Sequence, residues 1–224
     1  AAPGFHPTTV KIMIDGVLEN YTGALLEPYC DGCGGHTDSS GLAFVDPNLL
    51  QAAVTALDAA GLQVHMHAIG DRAVRMALDA VAAAHARNGM NDHRHHIAHL
   101  QLVHPMDLPR FAELGVTANC QMYWSSPDGQ MDELTIPYLG AERARLQYPF
   151  ASLARAGGRL AMGSDWSVST ANPLAQIEVG ATRIDPTTPD EPAFLPGECI
   201  TVAAGIDAFT AGSAYLNHDE NAAR

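Results

Sequence analysis

Three side chains of types that commonly bind metal ions recur along this chain, each at the end of a short apolar run. They are His67, His99 and Asp165, which lie 32 and 66 residues apart. A strand followed by its crossover helix takes about 30 residues or more, so these intervals fit one and two βα repeats. Parallel strands of an α/β barrel end at a common mouth, where such barrels build their active sites. The spacing therefore predicts a metal-dependent hydrolase.

His67 and Asp165 could each have a purely structural role instead of binding a metal ion. His65 lies two residues before His67, so a strand would present both side chains on one face. A single histidine there could be a hydrogen-bonded core residue, but two of them followed by Gly70-Asp71 favour a functional site. Asp165 could cap a following helix, as Asp commonly does. Its combination with two histidines at βα spacing favours the metal-binding interpretation.

The middle candidate belongs to a histidine-rich segment. Strand alternation places His95 and His99 on one face and His96 on the other. We interpret His93 and His95 as part of a solvated turn. His99 stands where the strand should end, which makes it the better candidate for a metal ligand.

Lys11 is unusual because it lies inside the apolar run of residues 10–14. Lysine is rarely buried without a partner. One interpretation is an edge strand with a solvated lysine. The other is that Lys11 faces the barrel centre, where a lysine carboxylated by carbon dioxide can bridge metal ions as an anion.

Composition limits the classes of function. Of the 224 residues, 47% are hydrophobic and 17% are charged, and the formal net charge is −13. This acidity argues against a nucleic-acid partner. No apolar run approaches the roughly 20 residues that cross a membrane, so no membrane association is expected. Four cysteines do not make a disulfide scaffold, which leaves the compartment open, with the cytoplasm favoured.

Alternating strand and helix patterns must position these side chains. The pattern calls for a parallel sheet of five strands, whereas a closed barrel of this type has eight. Residues 15–45 are predicted to form a long loop and residues 125–140 an irregular segment. The predicted strands lie near residues 9–14, 62–66, 95–98, 116–121 and 159–162, and the predicted helices near residues 47–60, 71–86, 105–114, 150–156, 173–182 and 201–214.

Four segments resemble a known group of enzymes. They are residues 10–19 (VKIMIDGVLE), 67–73 (HAIGDRA), 96–101 (HIAHLQ) and 163–168 (GSDWSV). In this order they are similar to motifs of the amidohydrolase superfamily, and most of all to the branch called amidohydrolase family 3, which includes N-substituted formamide deformylase-like enzymes. The similarity runs through nearly the whole chain.

The resemblance implies a fold and a site. The expected fold is α/β, a (β/α)8 TIM barrel of the metal-dependent hydrolase type, with one or two divalent metal ions, zinc being the expected ion. By resemblance, Lys11 takes the place of the bridging carboxylated lysine, and His67 and His99 take the next two ligand positions. Asp165 takes the place of the aspartate that contacts the metal or its water and shuttles the proton.

Four further residues are expected to support this site or to contact substrate. They are His65, Asp71, Gln101 and Trp166, all within or beside the matched segments. His65 has the same facing as His67, but the HAIGD motif favours His67 as the ligand. The implied reaction is hydrolysis of a non-peptide carbon–nitrogen bond in a small amide or formamide-like substrate.

The chain departs from the family in one respect. Family members carry a His-x-His pair at the end of the first barrel strand, and no such pair precedes Lys11. We therefore expect residues 1–224 to be a single barrel domain, truncated at both ends and covering about barrel strands four to eight, with one metal position impaired. Exposed sheet edges predict a homo-oligomer or association with the missing segments. The alternative functions are a catalytically crippled remnant of the fold and a small-molecule binding domain.

Overall fold

The computed structural model describes residues 7–222 and contains one parallel sheet. Its five strands follow one another in chain order, and each pairs with the next. Together with the helices between them, they confirm the predicted α/β class and the five-stranded parallel sheet. The strands are β1 (Thr9–Met13), β2 (Gln63–Ala68), β3 (His96–His99), β4 (Thr117–Cys120) and β5 (Leu160–Met162).

Nine α-helical segments connect and cover the strands within the described part of the chain. Short 3-10 and π turns adjoin several of them, at Pro105–Asp107, Met131–Thr135 and Ala208–Gly212, and further short 3-10 turns lie in the loops at Leu18–Asn20, Met122–Ser125 and Pro196–Glu198. None of the helices among residues 7–222 is long and apolar enough to cross a bilayer. The helices are α1 (Pro47–Ala59), α2 (Asp71–Asn88), α3 (Leu108–Glu113), α4 (Ile136–Leu139), α5 (Ala141–Ala144), α6 (Phe150–Arg155), α7 (Pro173–Thr182), α8 (Val202–Asp207) and α9 (Ser213–Leu216).

The first helix shows how local sequence sets these boundaries. The side chain of Asp46 accepts hydrogen bonds from the backbone N–H groups of Asn48 and Leu49, and Pro47 occupies the first helical position. An Asp cap followed by proline is a typical helix start, because the cap satisfies N–H groups that have no partner inside the helix. The prediction for this helix is confirmed.

The segment at residues 125–140 differs from its prediction as an irregular stretch. A π turn starts at Met131 and runs directly into α4, and Asp128 accepts the Met131 N–H at 2.6 Å. Ser, Pro, Gly and Asp dominate only its first half. The structure places the helical turns in the second half, where these residues are scarce.

The two faces of the sheet have different surroundings. On β2, the side chains of Val64, Met66 and Ala68 are fully buried in the core beneath α1 and α2. The opposite face carries His65 and His67, and the register pairs Lys11 of β1 with His65. In a closed barrel this second face is the interior. Here β1 and β5 each pair on one side only within residues 7–222, so the sheet is open.

Candidate metal centre

His67 lies at the end of β2, and its ring orientation is set by neighbouring backbone. Its Nε2 atom lies 2.9 Å from the carbonyl oxygen of Gly16 and 3.6 Å from Oδ1 of Asp15. A carbonyl oxygen only accepts, so Nε2 carries the hydrogen and donates it. Burial lowers the pKa of His67, which favours the neutral ring. The neutral ring then has its lone pair on Nδ1, the form in which histidine binds metals.

Asp15 forms the support behind His67. Its carboxylate is fully buried and accepts hydrogen bonds from the backbone N–H groups of Ala24, Ile69 and Gly70, at 2.8, 3.0 and 2.9 Å. Burial raises the pKa of Asp15 to about 7, against the lowering effect of these three bonds. Asp15 thus ties the end of β1 to the turn after β2. Sequence reasoning did not single it out, although a buried-strand Asp followed by Gly was the available signal.

Gly70 allows this turn to pack closely. A Cβ atom at Gly70 would lie 2.1 Å from the carbonyl oxygen of Ala24, which is a severe overlap. The glycine therefore lets the turn after β2 approach the loop that follows β1. The close approach explains why the HAIGD segment carries glycine at this position.

His99 ends β3 and points toward His67 because its backbone leaves the strand conformation. Its φ angle is 82°, in the left-handed region. The two imidazole rings lie 4.5 Å apart between centroids. Trp124 stacks on His99, with ring centroids 5.2 Å apart and an interplanar angle of 11°. These contacts fix the His99 ring at the mouth of the sheet.

The ring nitrogens of His99 fit a metal ligand. Nδ1 is buried and has no hydrogen-bond partner among residues 7–222. Burial first, and then the charges of His67 and Lys11, lower the pKa of His99 to about 3. A neutral buried imidazole with an unpartnered nitrogen is costly unless something binds it. His67 and His99 therefore offer two neutral imidazoles to one cation.

A second layer of polar side chains lies below this pair. His65 and His96 are register partners on β2 and β3, with ring centroids 4.4 Å apart. The expectation that His96 faces away from the site residues is wrong, because the turn at His99 breaks the alternation on which it rested. His65 Nε2 and His96 Nδ1 are buried without hydrogen-bond partners in the described chain.

Lys11 is exposed and lies on the same face of the sheet as His65. Within residues 7–222, β1 pairs on one side only, and its lysine lies on the face that carries the histidines. The positive charge of Lys11 lowers the pKa of His65 and of His67, after the larger effect of burial. This electrostatic effect places Lys11 near the candidate site.

Asp165 follows β5 and is partly buried, with a φ angle of 49°. Its negative charge raises the pKa of His65 and of His67 against the effect of burial, so it lies on the same side of the sheet. It does not form a cluster with His67 and His99 in which all ligand atoms lie within 4.8 Å of one another. The structure brings the two histidines together and leaves Asp165 outside their immediate contact.

The residues expected to support the site have different surroundings. Gln101 is buried and donates from Nε2 to Oε1 of Gln147 at 3.2 Å. Asp71 is buried at the start of α2 and accepts the backbone N–H of Leu26 at 2.9 Å, so it anchors the long loop. Trp166 is 72% exposed.

A separate cluster of Asp58, His93 and His95 lies near the start of β3. The prediction of a solvated turn is wrong for His95, which is buried. Its Nε2 lies 2.9 Å from Oδ1 of Asp58, and its Nδ1 accepts the Val64 N–H at 3.0 Å. Because Nδ1 accepts, Nε2 must carry the hydrogen, and this leaves no ring nitrogen for a metal.

Hydrogen bonds from neighbouring side chains satisfy the carboxylate of Asp58 without a metal ion. Its oxygens also accept from Asn88 Nδ2 at 2.7 Å and from Asn91 Nδ2 at 2.8 Å. These bonds and the one from His95 lower the pKa of Asp58, although burial by itself would raise it. We therefore describe Asp58, His93 and His95 as a structural hub that links α1, α2 and β3.

A cavity of about 450 Å³ opens beside His99. Trp124, which stacks on His99, forms part of its wall, together with Ile69, two residues after His67. Gln101 also contributes to the wall. The cavity and the histidine pair are thus linked through Trp124, and neither histidine itself lines the cavity.

Comparisons with known proteins agree with this geometry. The model of the family described as "Amidohydrolase family" matches residues 2–222. The chain is 37% identical over 215 residues to Protein LONG AFTER FAR-RED 3 of Arabidopsis thaliana, covering 93% of this chain and 35% of that protein. It is 27% identical over 211 residues to the putative amidohydrolase YtcJ of Bacillus subtilis (strain 168), covering 94% of this chain and 38% of that protein.

A solved structure shows the same fold. An uncharacterized metal-dependent hydrolase from Pyrococcus furiosus superposes with a TM-score of 0.76 at 28% identity, covering 94% of this chain and 40% of that one. The open five-stranded sheet therefore corresponds to part of a larger barrel. The chain spans less than half the length of each of these three proteins.

Proposed function

The chain belongs to the amidohydrolase family, and we propose that it carries metal ligands and the proton-transferring carboxylate of a hydrolase acting on non-peptide carbon–nitrogen bonds. The observation that carries this proposal is the pair of neighbouring imidazoles of His67 and His99, which meet edge to face with ring centroids 4.5 Å apart. The Nε2–H of His67 is donated to the carbonyl oxygen of Gly16, and the buried Nδ1 of His99 has no hydrogen-bond partner among residues 7–222. Both features leave a nitrogen available for a cation.

The ligand set that we propose consists of Lys11, His67, His99 and Asp165. Imidazole nitrogens and carboxylate oxygens are common zinc ligands, so zinc is the ion we propose. Lys11 would join as a carboxylated side chain, and its exposure on β1 leaves the amine open to carbon dioxide. When bound, the metal would polarise the scissile carbonyl and lower the pKa of the attacking water.

The residues of the chain would then carry out the proton transfers. Asp165 would accept a proton from the attacking water as the water oxygen bonds to the carbonyl carbon. The same carboxyl group would deliver that proton to the leaving nitrogen as the carbon–nitrogen bond breaks, giving an amine and a carboxylic acid. Its partial burial and its place beyond β5, on the side of His65 and His67, suit this role. We propose a small amide or formamide as substrate.

The buried neighbours would hold the ligands in place. Asp15 fixes the loop whose Gly16 carbonyl orients His67, and Trp124 fixes the His99 ring. Hydrogen bonding to the far nitrogen of a ligating histidine sets its tautomer and strengthens it as a ligand. His65 and Gln101 would line the site beneath and beside these ligands.

Hydrolysis of N-benzylformamide by the zinc-loaded chain tests the proposal. We expect formate release that disappears in chelator and returns with zinc. Asp165→Asn, assayed at saturating zinc because it also removes a proposed ligand, should lose at least a hundredfold in kcat, whereas the exposed Asp190→Asn, which removes the same charge elsewhere, should retain activity. Zinc-bound chain that hydrolyses no member of a formamide and acetamide panel would contradict the catalytic proposal and favour a metal-binding remnant.

A further inference from the structure

The cavity beside His99 has an unusual charge. Three carboxylates contribute to its wall, those of Glu19, Asp128 and Asp185, and none of its fourteen lining residues is Lys, Arg or His. None of the three carboxylates forms an ion pair with a cation of residues 7–222. The wall of this cavity therefore presents uncompensated negative charge to whatever enters it.

Hydrogen bonds hold the three carboxylates in place. Oε1 of Glu19 accepts from Oγ1 of Thr135 at 3.2 Å. Oδ1 of Asp128 accepts the Met131 N–H at 2.6 Å, and Oδ1 of Asp185 accepts the Thr187 N–H at 2.7 Å. Each bond uses one oxygen of its carboxylate. The negative groups are thus fixed at the cavity by neighbouring loops and turns.

Aromatic rings complete the wall, and one of them carries an unpartnered polar group. Tyr123, Trp124 and Tyr148 all line the cavity. Tyr148 is only 3% exposed, yet its hydroxyl forms no hydrogen bond with any group of the described chain. Burial raises the pKa of Tyr148, and the charges of Glu19 and Asp128 raise it further, which places both carboxylates near this phenol.

One buried cation, Arg183, offsets this negative charge only in part. Arg183 is fully buried behind Tyr148, and its guanidinium donates to the carbonyl oxygens of Tyr148 and Phe194, both at 3.1 Å. Its donors are directed to backbone carbonyls, and its charge lowers the pKa of Tyr148 less than the charges of Glu19 and Asp128 raise it. The combination of aromatic faces, carboxylates and a free hydroxyl is the chemistry that binds an organic ammonium ion, through cation–π contact and charge.

We propose that this cavity binds a protonated amine on the substrate, so that the substrate class is an amide or formamide whose body carries an ammonium group. This inference rests on the proposed function for the identity of the reacting bond, but the binding itself does not require hydrolysis. The same negative wall would repel a substrate that carries a carboxylate. The cavity therefore sets specificity by charge.

Calorimetric titration of the full chain with three small probes tests the proposal. The probes are benzylammonium, the neutral benzyl alcohol and the anionic benzoate, all in chelator so that no amine can bind through a metal. We expect benzylammonium to bind at least tenfold more tightly than benzyl alcohol, and benzoate not to bind. Added salt should weaken the benzylammonium complex, because charge contributes to it.

Isosteric variants locate the site. Asp128→Asn and Asp185→Asn retain the side-chain oxygens that accept the Met131 and Thr187 N–H groups, so we expect both to fold. Each should weaken benzylammonium about fivefold and leave benzyl alcohol unchanged. Glu113→Gln, an exposed position on α3, removes the same charge and should change neither affinity.

Two results would overturn the inference: equal affinities for benzylammonium and benzyl alcohol, or equal losses in the Asp128, Asp185 and Glu113 variants. These results differ from a failure of the proposed function. Metal-dependent hydrolysis of neutral formamides without benzylammonium binding rejects the cationic pocket alone. Charge-selective binding without any hydrolysis rejects the reaction and keeps the pocket.

Discussion

His67 donates its Nε2–H to the carbonyl oxygen of Gly16 across 2.9 Å. This single bond connects the two segments on which the site depends, because Gly16 follows β1 and His67 ends β2. It fixes the tautomer of the ring and leaves Nδ1 as the nitrogen with a lone pair. The candidate metal centre is thus organised by backbone as much as by side chains.

The support behind this bond predicts the effect of an isosteric change at Asp15. Asp15→Asn replaces one carboxylate oxygen by an NH₂ group. At least one of the three backbone N–H groups that now donate to Asp15 would then lack an acceptor. Buried donors without acceptors are destabilising, so we expect the free energy of unfolding to fall by about 3 kcal/mol. Urea unfolding followed by circular dichroism measures it. Asp190→Asn, at an exposed position, is the control. An equal loss of unfolding free energy in both variants would show that Asp15 does not support the turn after β2.

The hub around Asp58 predicts a purely structural role. Asp58→Ala leaves the buried Nε2–H of His95 and the donors of the exposed Asn88 and Asn91 without this acceptor, so we expect a loss of about 2 kcal/mol in unfolding free energy. Zinc should stabilise this variant as much as it stabilises the wild type, because the His67–His99 pair is intact. If zinc stabilised the wild type but not Asp58→Ala, the hub would be a metal site.

The same hub predicts a pH dependence. Burial lowers the pKa of His95 in the folded chain, and hydrogen bonds lower that of Asp58. For both groups the unfolded chain binds protons more readily, so stability is lost as pH falls. The His95 contribution should begin to disappear below the unfolded pKa of about 6.5, and that of Asp58 below about 4.

A variant separates the two contributions. His95→Gln keeps hydrogen-bonding groups but does not titrate, so the difference between its unfolding free energy and that of the wild type should shrink between pH 7 and pH 5. Denaturant unfolding at pH 7, 6 and 5 in chelator measures this difference. A difference that stays constant over this range would show that His95 has an ordinary pKa.

The periodicity of the sequence was enough to predict most of the fold. All five strands and the main helices follow from alternating apolar patterns and from caps such as Asp46-Pro47, because these are local properties of the chain. The shared face of His65 and His67 follows from strand geometry alone. The family resemblance supplied the order of the site residues.

The errors came from features that depend on distant contacts or on single backbone angles. His99 turns toward His67 because of its positive φ, which no alternation rule predicts and which reversed the expected facing of His96. His95 is buried because Asp58, 37 residues earlier in the chain, accepts its hydrogen. The role of Asp15 required knowing that the loop after β1 folds against the turn after β2.

Zinc binding by the chain and three histidine variants tests the central claim most directly. Elemental analysis and calorimetric titration should show zinc bound to the wild type, with His67→Ala and His99→Ala each weakening it at least a hundredfold. His93→Ala, which removes a histidine from the structural hub, should bind zinc like the wild type. Undiminished zinc binding by both His67→Ala and His99→Ala, or its loss in His93→Ala alone, would contradict the account.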